Sequence, residues 1–162
     1  MSLTNTLEGA MDLTIYTVLK GEHHEVSALF AALETPLKAL EGGREAAFKK
    51  LKKELLSHSK AEEATVYDRL QSKLTDEELI EDSREEHNEI AEYLESIEGL
   101  AIDSDEWRTE VQALKTLVEH HVEEEEHETF DHMQRVFSED EAKEMAKAFN
   151  DRKKIELESI KD

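Results

Sequence analysis

The chain has 162 residues, enough for one domain with a single sizeable core. Its formal net charge of −21 argues against a nucleic-acid partner, which needs a Lys/Arg surface, and disfavours an anionic membrane. The absence of cysteine removes disulfides, iron–sulfur clusters, thiolate zinc sites and cysteine nucleophiles, and it fits a cytoplasmic location.

Residues 1–12 are polar and aperiodic and are expected to form a flexible tail; they lack the basic start and long apolar centre of a signal peptide. Thr14 then caps a first helix with apolar positions Ile15, Leu19, Val26, Phe30 and Leu33. Pro36 and Gly42-Gly43 kink or close it. The uncharged run Val26–Leu33 is the longest in the chain, far short of the ~18–20 residues that span a bilayer. A second helix runs from about Arg44 to Ser72 on the stripe Phe48, Leu51, Leu55, Val66, Leu70. Thr75-Asp76-Glu77-Glu78 reads as a capping box for a third helix bearing Ile80, Ile90, Leu94 and Ile97. Asp103-Ser104-Asp105-Glu106 opens a fourth with Trp107, Val111, Leu114 and Val118, continuing toward Met133 and Val136. Ser138-Glu139-Asp140-Glu141 starts a short fifth helix with Met145, Phe149 and Ile155 on one face. The pattern predicts an all-α protein: an antiparallel up-down four-helix bundle over residues 13–137, then an additional short C-terminal helix and tail over 138–162.

Polar residues interrupt these stripes at steps of three or four. Helix one carries His23, helix two His58 and Glu62, helix three His87, and helix four His121 and Glu125. The two H-x-x-x-E pairs place an imidazole and a carboxylate on one helix face, about 5–6 Å apart at Cβ. Counted from the turns near residues 42, 74 and 103, the histidines of adjacent helices lie about 13–19 residues away. At ~1.5 Å rise per residue, their heights differ by only about 3–5 Å. A lone histidine on an apolar face is usually a hydrogen-bonded core residue. Four imidazoles and two carboxylates buried at one level would cost several kcal/mol in desolvation unless every group found a partner. A metal removes that difficulty, and nitrogen and oxygen donors without sulfur suit iron, manganese or zinc. Divided over two ions, six donors leave each incompletely coordinated.

The remaining candidates are weaker. His24 points about 100° away from His23, His120 and Glu124 lie on a charged face, and His127 reads as a surface residue. Glu126 is an alternative to Glu125 as a ligand, His132 can line one end of the site, and Tyr16 has either an outer or redox role or ordinary packing.

The segments IYTVLKGEHHEVSALF, LLSHSKAEEATVYDRL, EEHNEIAEYL and LVEHHVEEEEHETFDHM resemble the hemerythrin-like, or HHE cation-binding, family over roughly residues 14–135. The resemblance implies that His23, His58, Glu62, His87, His121 and Glu125 are metal ligands. It implies a non-heme centre of two iron ions, bridged by the two carboxylates and an oxo or hydroxo group. The expected partners are small molecules: dioxygen, peroxide or nitric oxide. Three departures stand out. Ser83 occupies the place of a second third-helix histidine, Glu125 follows His121 by four residues rather than five, and neither Tyr67-Asp68 nor Phe130-Asp131 carries the proline common in relatives. The first shifts the balance from carriage toward reactivity or sensing; the last predicts that helices two and four run on unbroken. The functional expectation is a dioxygen or oxidant binder acting as carrier, sensor or scavenger. Its alternatives are an oxidoreductase acting on peroxide or nitric oxide, and an iron storage or donor protein.

Overall fold

The computed structural model describes residues 13–34, 43–73 and 77–160. Helix α1 is Ile15–Glu34. Helix α2 joins Gly43–Glu62, a π-helical turn Glu63–Tyr67 and a last α turn Asp68–Gln71. Helix α3 is Glu78–Glu98. Helix α4 joins Asp105–Glu124, a second π turn Glu125–Thr129 and Phe130–Val136. Helix α5 is Glu139–Ser159. No strand occurs among the described residues, and no helix is long and apolar enough to cross a membrane. The expected tail, the role of Pro36 and the Thr75-Asp76 half of a capping box fall outside the described residues.

Helix starts follow local chemistry. Ser104 Oγ accepts from the Trp107 amide at 3.1 Å. Ser138 and Glu141 exchange two 3.1 Å bonds in a complete capping box. Asp103 adopts φ 65°, unusual for a residue with a side chain, and its carboxylate receives both Arg44 and Arg108, tying the α3–α4 turn to the start of α2.

Consecutive helices α1 to α4 pack side by side, and the short connections between neighbours enforce an up-down order. Their apolar faces form two clusters. Phe30, Phe48, Leu51, Leu94, Trp107 and Leu114 belong to one; Ile15, Leu19, Tyr67, Leu70, Ile80 and Met133 belong to the other. A buried polar layer of His23, His58, Glu62, His87, His121 and Glu125 lies between them.

At 21 residues α5 is as long as its neighbours and not the short element expected; it lies against the side of α1 and α2. Met145 and Phe149 are fully buried, whereas Ile155 is 61% exposed. A six-residue step from Phe149 turns about 240° around a helix, so the buried face continues through Glu156 instead.

The first π turn begins one residue after Glu62, and the second begins at Glu125. The Asp68 amide bonds back to the Glu63 carbonyl and the Phe130 amide to the Glu125 carbonyl, each five residues earlier. The helices do continue without proline, but each accommodates one extra residue. Such turns occur mostly as single insertions, often at functional sites.

Candidate metal centre

The six predicted residues converge. One group comprises His23, His58, Glu62 and Glu125; a second comprises Glu62, His87 and His121; within each, the donor atoms lie within 4.8 Å of one another. Glu62 belongs to both. Its Oε2 lies 3.2 Å from His58 Nε2, and its Oε1 lies 3.2 Å from His87 Nε2 and 3.9 Å from His121 Nε2. Glu125 is placed likewise, with Oε1 3.2 Å from His23 Nε2 and Oε2 3.6 Å from His121 Nε2. All four imidazoles turn Nε2 inward.

These residues fit metal ions. His23 Nε2, His58 Nε2, Glu62 Oε2 and Glu125 Oε1 are buried and make no hydrogen bond, although each is close to another donor atom. Buried polar atoms are normally satisfied. Donors bound ~2.1 Å from an ion and set at right angles around it lie ~3 Å apart, near the separations seen here.

The outward nitrogens form a ring of support that runs once around the bundle. His58 Nδ1 meets Glu22 of α1 at 3.4 Å, His121 Nδ1 meets Glu86 of α3 at 3.1 Å and His23 Nδ1 meets Glu126 of α4 at 3.3 Å, whereas His87 Nδ1 lies 3.9 Å from Glu63 of α2, an ion-pair distance without a hydrogen bond. Each carboxylate is the immediate chain neighbour of an inward donor and reaches the histidine of an adjacent helix. Carboxylates in this position fix the tautomer and raise the basicity of a ligating imidazole.

Tyr67, delivered by the first π turn, is the largest fully buried side chain in the molecule's described part. Its hydroxyl lies 2.6 Å from Glu62 Oε1 and 2.8 Å from Glu125 Oε2, so its single proton is shared between the two carboxylates. Its ring stacks on His87 at 5.3 Å. Burial, then the charges of Glu125 and Glu62, push the phenol well above its ordinary pKa of 10.

Sequence reasoning missed Tyr67 because a five-residue step from Glu62 leaves the inward face of a regular helix. Tyr16 instead packs edge-on against Phe130 at 5.2 Å. Glu126 supports His23 from outside, His132 is half-buried and outside both donor groups, and His24, His120 and His127 are exposed. Two further carboxylate groups occur. Glu86, His120 and Glu124 lie at the surface, and Glu22, Glu25 and Glu54 include two residues held by Lys153.

Without metal the layer stores protons. Burial pulls the His58 imidazole down, but Glu62 and Glu22 outweigh it and raise the pKa to about 10. His121 reaches about 10 in the same way, against burial, through Glu62, Glu86 and Glu125. Burial pushes Glu62 up, yet His58, His121 and His87 hold it well below the carboxylate range. Both histidines have folded-state values above 6.5, so their protons stabilise the metal-free fold fully below pH 6.5, and that contribution is lost as pH rises toward about 10. The urea midpoint of metal-free protein should therefore fall between pH 6 and pH 9. Metal-loaded protein, with its imidazoles already deprotonated, should show no such decline. A metal-free midpoint constant over that range would contradict this electrostatic account.

A cavity of about 20 Å³ lies against the four histidines and is lined also by Ser59 and by Val26, Leu55, Ile90, Val118 and Val122. A wider cleft of about 470 Å³ opens between α1 and α4 beside His23 and Glu126.

A family model described as the hemerythrin HHE cation-binding domain matches residues 14–133. A crystal structure of a hemerythrin HHE cation-binding domain-containing protein from Mycobacterium kansasii is similar, with 26% identity and a TM-score of 0.78, covering 91% of this chain and 89% of that one. No curated protein matches.

Proposed function

The chain belongs to the hemerythrin HHE cation-binding family, and from that membership we propose a non-heme di-iron protein that binds dioxygen or a related small oxidant. His23, His58, Glu62, His87, His121 and Glu125 hold the iron in this reading. The observation that carries it is the small cavity lined by four imidazoles and mainly aliphatic side chains, whose volume of about 20 Å³ suits a molecule of two or three atoms. Iron held by these six residues would supply redox electrons and a coordination position for such a molecule.

The protein supplies the rest. Glu62 and Glu125 each direct one oxygen to either side of the layer, which suits carboxylates that bridge two ions. The ring of outer carboxylates orients the imidazoles, and valine, leucine and isoleucine side chains give the cavity a largely apolar lining. Tyr67 keeps a proton at Oη beside both bridging carboxylates.

A second reading, turnover of peroxide or nitric oxide, draws on Ser83. Its hydroxyl donates to the Leu79 carbonyl at 2.9 Å, so α3 offers His87 as its sole inward donor among the described residues. The ion beside His87 and His121 then has fewer protein ligands and more room for substrate.

Anaerobic Fe(II) loading separates these possibilities. The first reading expects two irons per chain and a visible band that appears with dioxygen and disappears on its removal. Steady consumption of peroxide or nitric oxide without a reversible band would favour the second. Uptake of well under one iron per chain would overturn both.

A further inference from the structure

One arm of the carboxylate ring differs from the others. Glu22 touches His58 through Oε1, and its other oxygen, Oε2, accepts from Lys153 Nζ of α5 at 2.6 Å. The same ammonium reaches Glu54 Oε2 at 2.6 Å, and the Lys153 side chain is only 13% exposed. Glu63 also meets a cation, Arg84, but at 3.6 Å and with both side chains about 30% exposed. One helical turn before Lys153, Phe149 sets its ring against the His58 imidazole at 5.5 Å. Helix α5 therefore reaches one histidine twice, directly through Phe149 and indirectly through Lys153 and Glu22.

We propose that Lys153 is a positioning residue for the metal ion beside His23 and His58, acting through Glu22 to fix the His58 ring, so that α5 makes the two ions of the centre unequal. This rests on the di-iron reading above. A buried ammonium gripping two carboxylates allows Glu22 one geometry, which fixes where His58 Nδ1 finds its acceptor and hence where Nε2 points. Loss of Lys153 frees Glu22 and with it the His58 ring, which loosens one ion and leaves the ion beside His87 and His121 untouched.

The test uses full-length protein loaded anaerobically with Fe(II) and challenged with a coloured ferrous chelator. Wild type should release two irons slowly. Lys153→Met should release one about 10–100-fold faster, the range found when an outer partner of a metal ligand is lost, and the other at the wild-type rate. Lys153→Arg should restore slow release. Glu54→Gln, which keeps the Lys153–Glu22 contact but weakens the second half of the grip, should accelerate release of the same iron by less than Lys153→Met does. Glu22→Gln should reproduce the single fast phase, and combining it with Lys153→Met should add little, since both break one chain of contacts. Should Lys153→Met fail to fold by circular dichroism, Glu22→Gln and Lys153→Arg carry the same test. Release of both irons at the wild-type rate, or equal acceleration of both, would overturn the proposal while leaving the di-iron reading intact. A wild-type protein that takes up no iron would overturn both.

Discussion

On the di-iron reading, replacing Glu62 with alanine is expected to abolish binding of both metal ions together, leaving under one iron per chain after anaerobic loading and desalting, against the two expected for wild type. The reason is its position: one carboxylate faces His58 with one oxygen, and His87 and His121 with the other. Losing an outer partner of a metal ligand typically weakens binding by about 10–100-fold. Loss of a donor shared by two sites should exceed that at each.

The metal-free protein should also suffer, because His58 and His121 would face a layer stripped of its central negative charge. Breaking a buried ion pair by removing one partner costs about 3–5 kcal/mol. That cost should be largest near pH 6, where both imidazoles carry their protons, and should shrink as pH rises toward about 10 and they become neutral. Metal analysis and urea unfolding at two pH values read both effects. A variant that kept one full iron per chain would show that the two donor groups do not depend on a common carboxylate.

The helices and the six inward donors were legible in the sequence because both obey a single period. Leu19, His23, Val26 and Phe30 return to one face at steps of three and four, and so do Leu55, His58 and Glu62. What escaped was whatever broke that period or lay beside it. Tyr67 sits five residues after Glu62, a spacing that only the π turn brings back toward the core. Glu126 lay beside that period: Glu125 faces inward, and its neighbour Glu126 reaches the outer nitrogen of His23.

The ring of outer carboxylates left a trace that went unread: Glu22 precedes His23, Glu63 follows Glu62, Glu86 precedes His87 and Glu126 follows Glu125. A residue adjacent to an inward donor is turned about 100° from it, toward the next helix of a bundle, where it can support a neighbour's histidine. In a chain so rich in glutamate, such adjacency does not separate these four from a solvated acidic face. The role of α5 was invisible for another reason. Phe149 meets His58, and Lys153 meets Glu22 from 131 residues away, and no local pattern encodes such distances.

Substituting Tyr67 with phenylalanine is expected to strengthen metal binding while weakening the metal-free fold. The hydroxyl engages Glu62 Oε1 and Glu125 Oε2, the oxygens that face His87 and His121. The opposite oxygens, Glu62 Oε2 and Glu125 Oε1, have no hydrogen-bond partner and face His58 and His23. The phenol thus competes with an ion on one side of the layer only. Phenylalanine preserves the ring that stacks on His87 and removes the one proton shared by two buried carboxylates. Leaving such acceptors unsatisfied costs about 1–3 kcal/mol, read as a lower urea midpoint of metal-free protein. In metal-loaded protein the ion satisfies those oxygens, so the loss should be smaller. By linkage, destabilising only the metal-free state raises apparent affinity, here by up to about 5–150-fold for the ion beside His87 and His121. Chelator competition with Fe(II) would measure it. A fall in affinity would mean that Tyr67 holds the two carboxylates in place for the metal instead of competing with it.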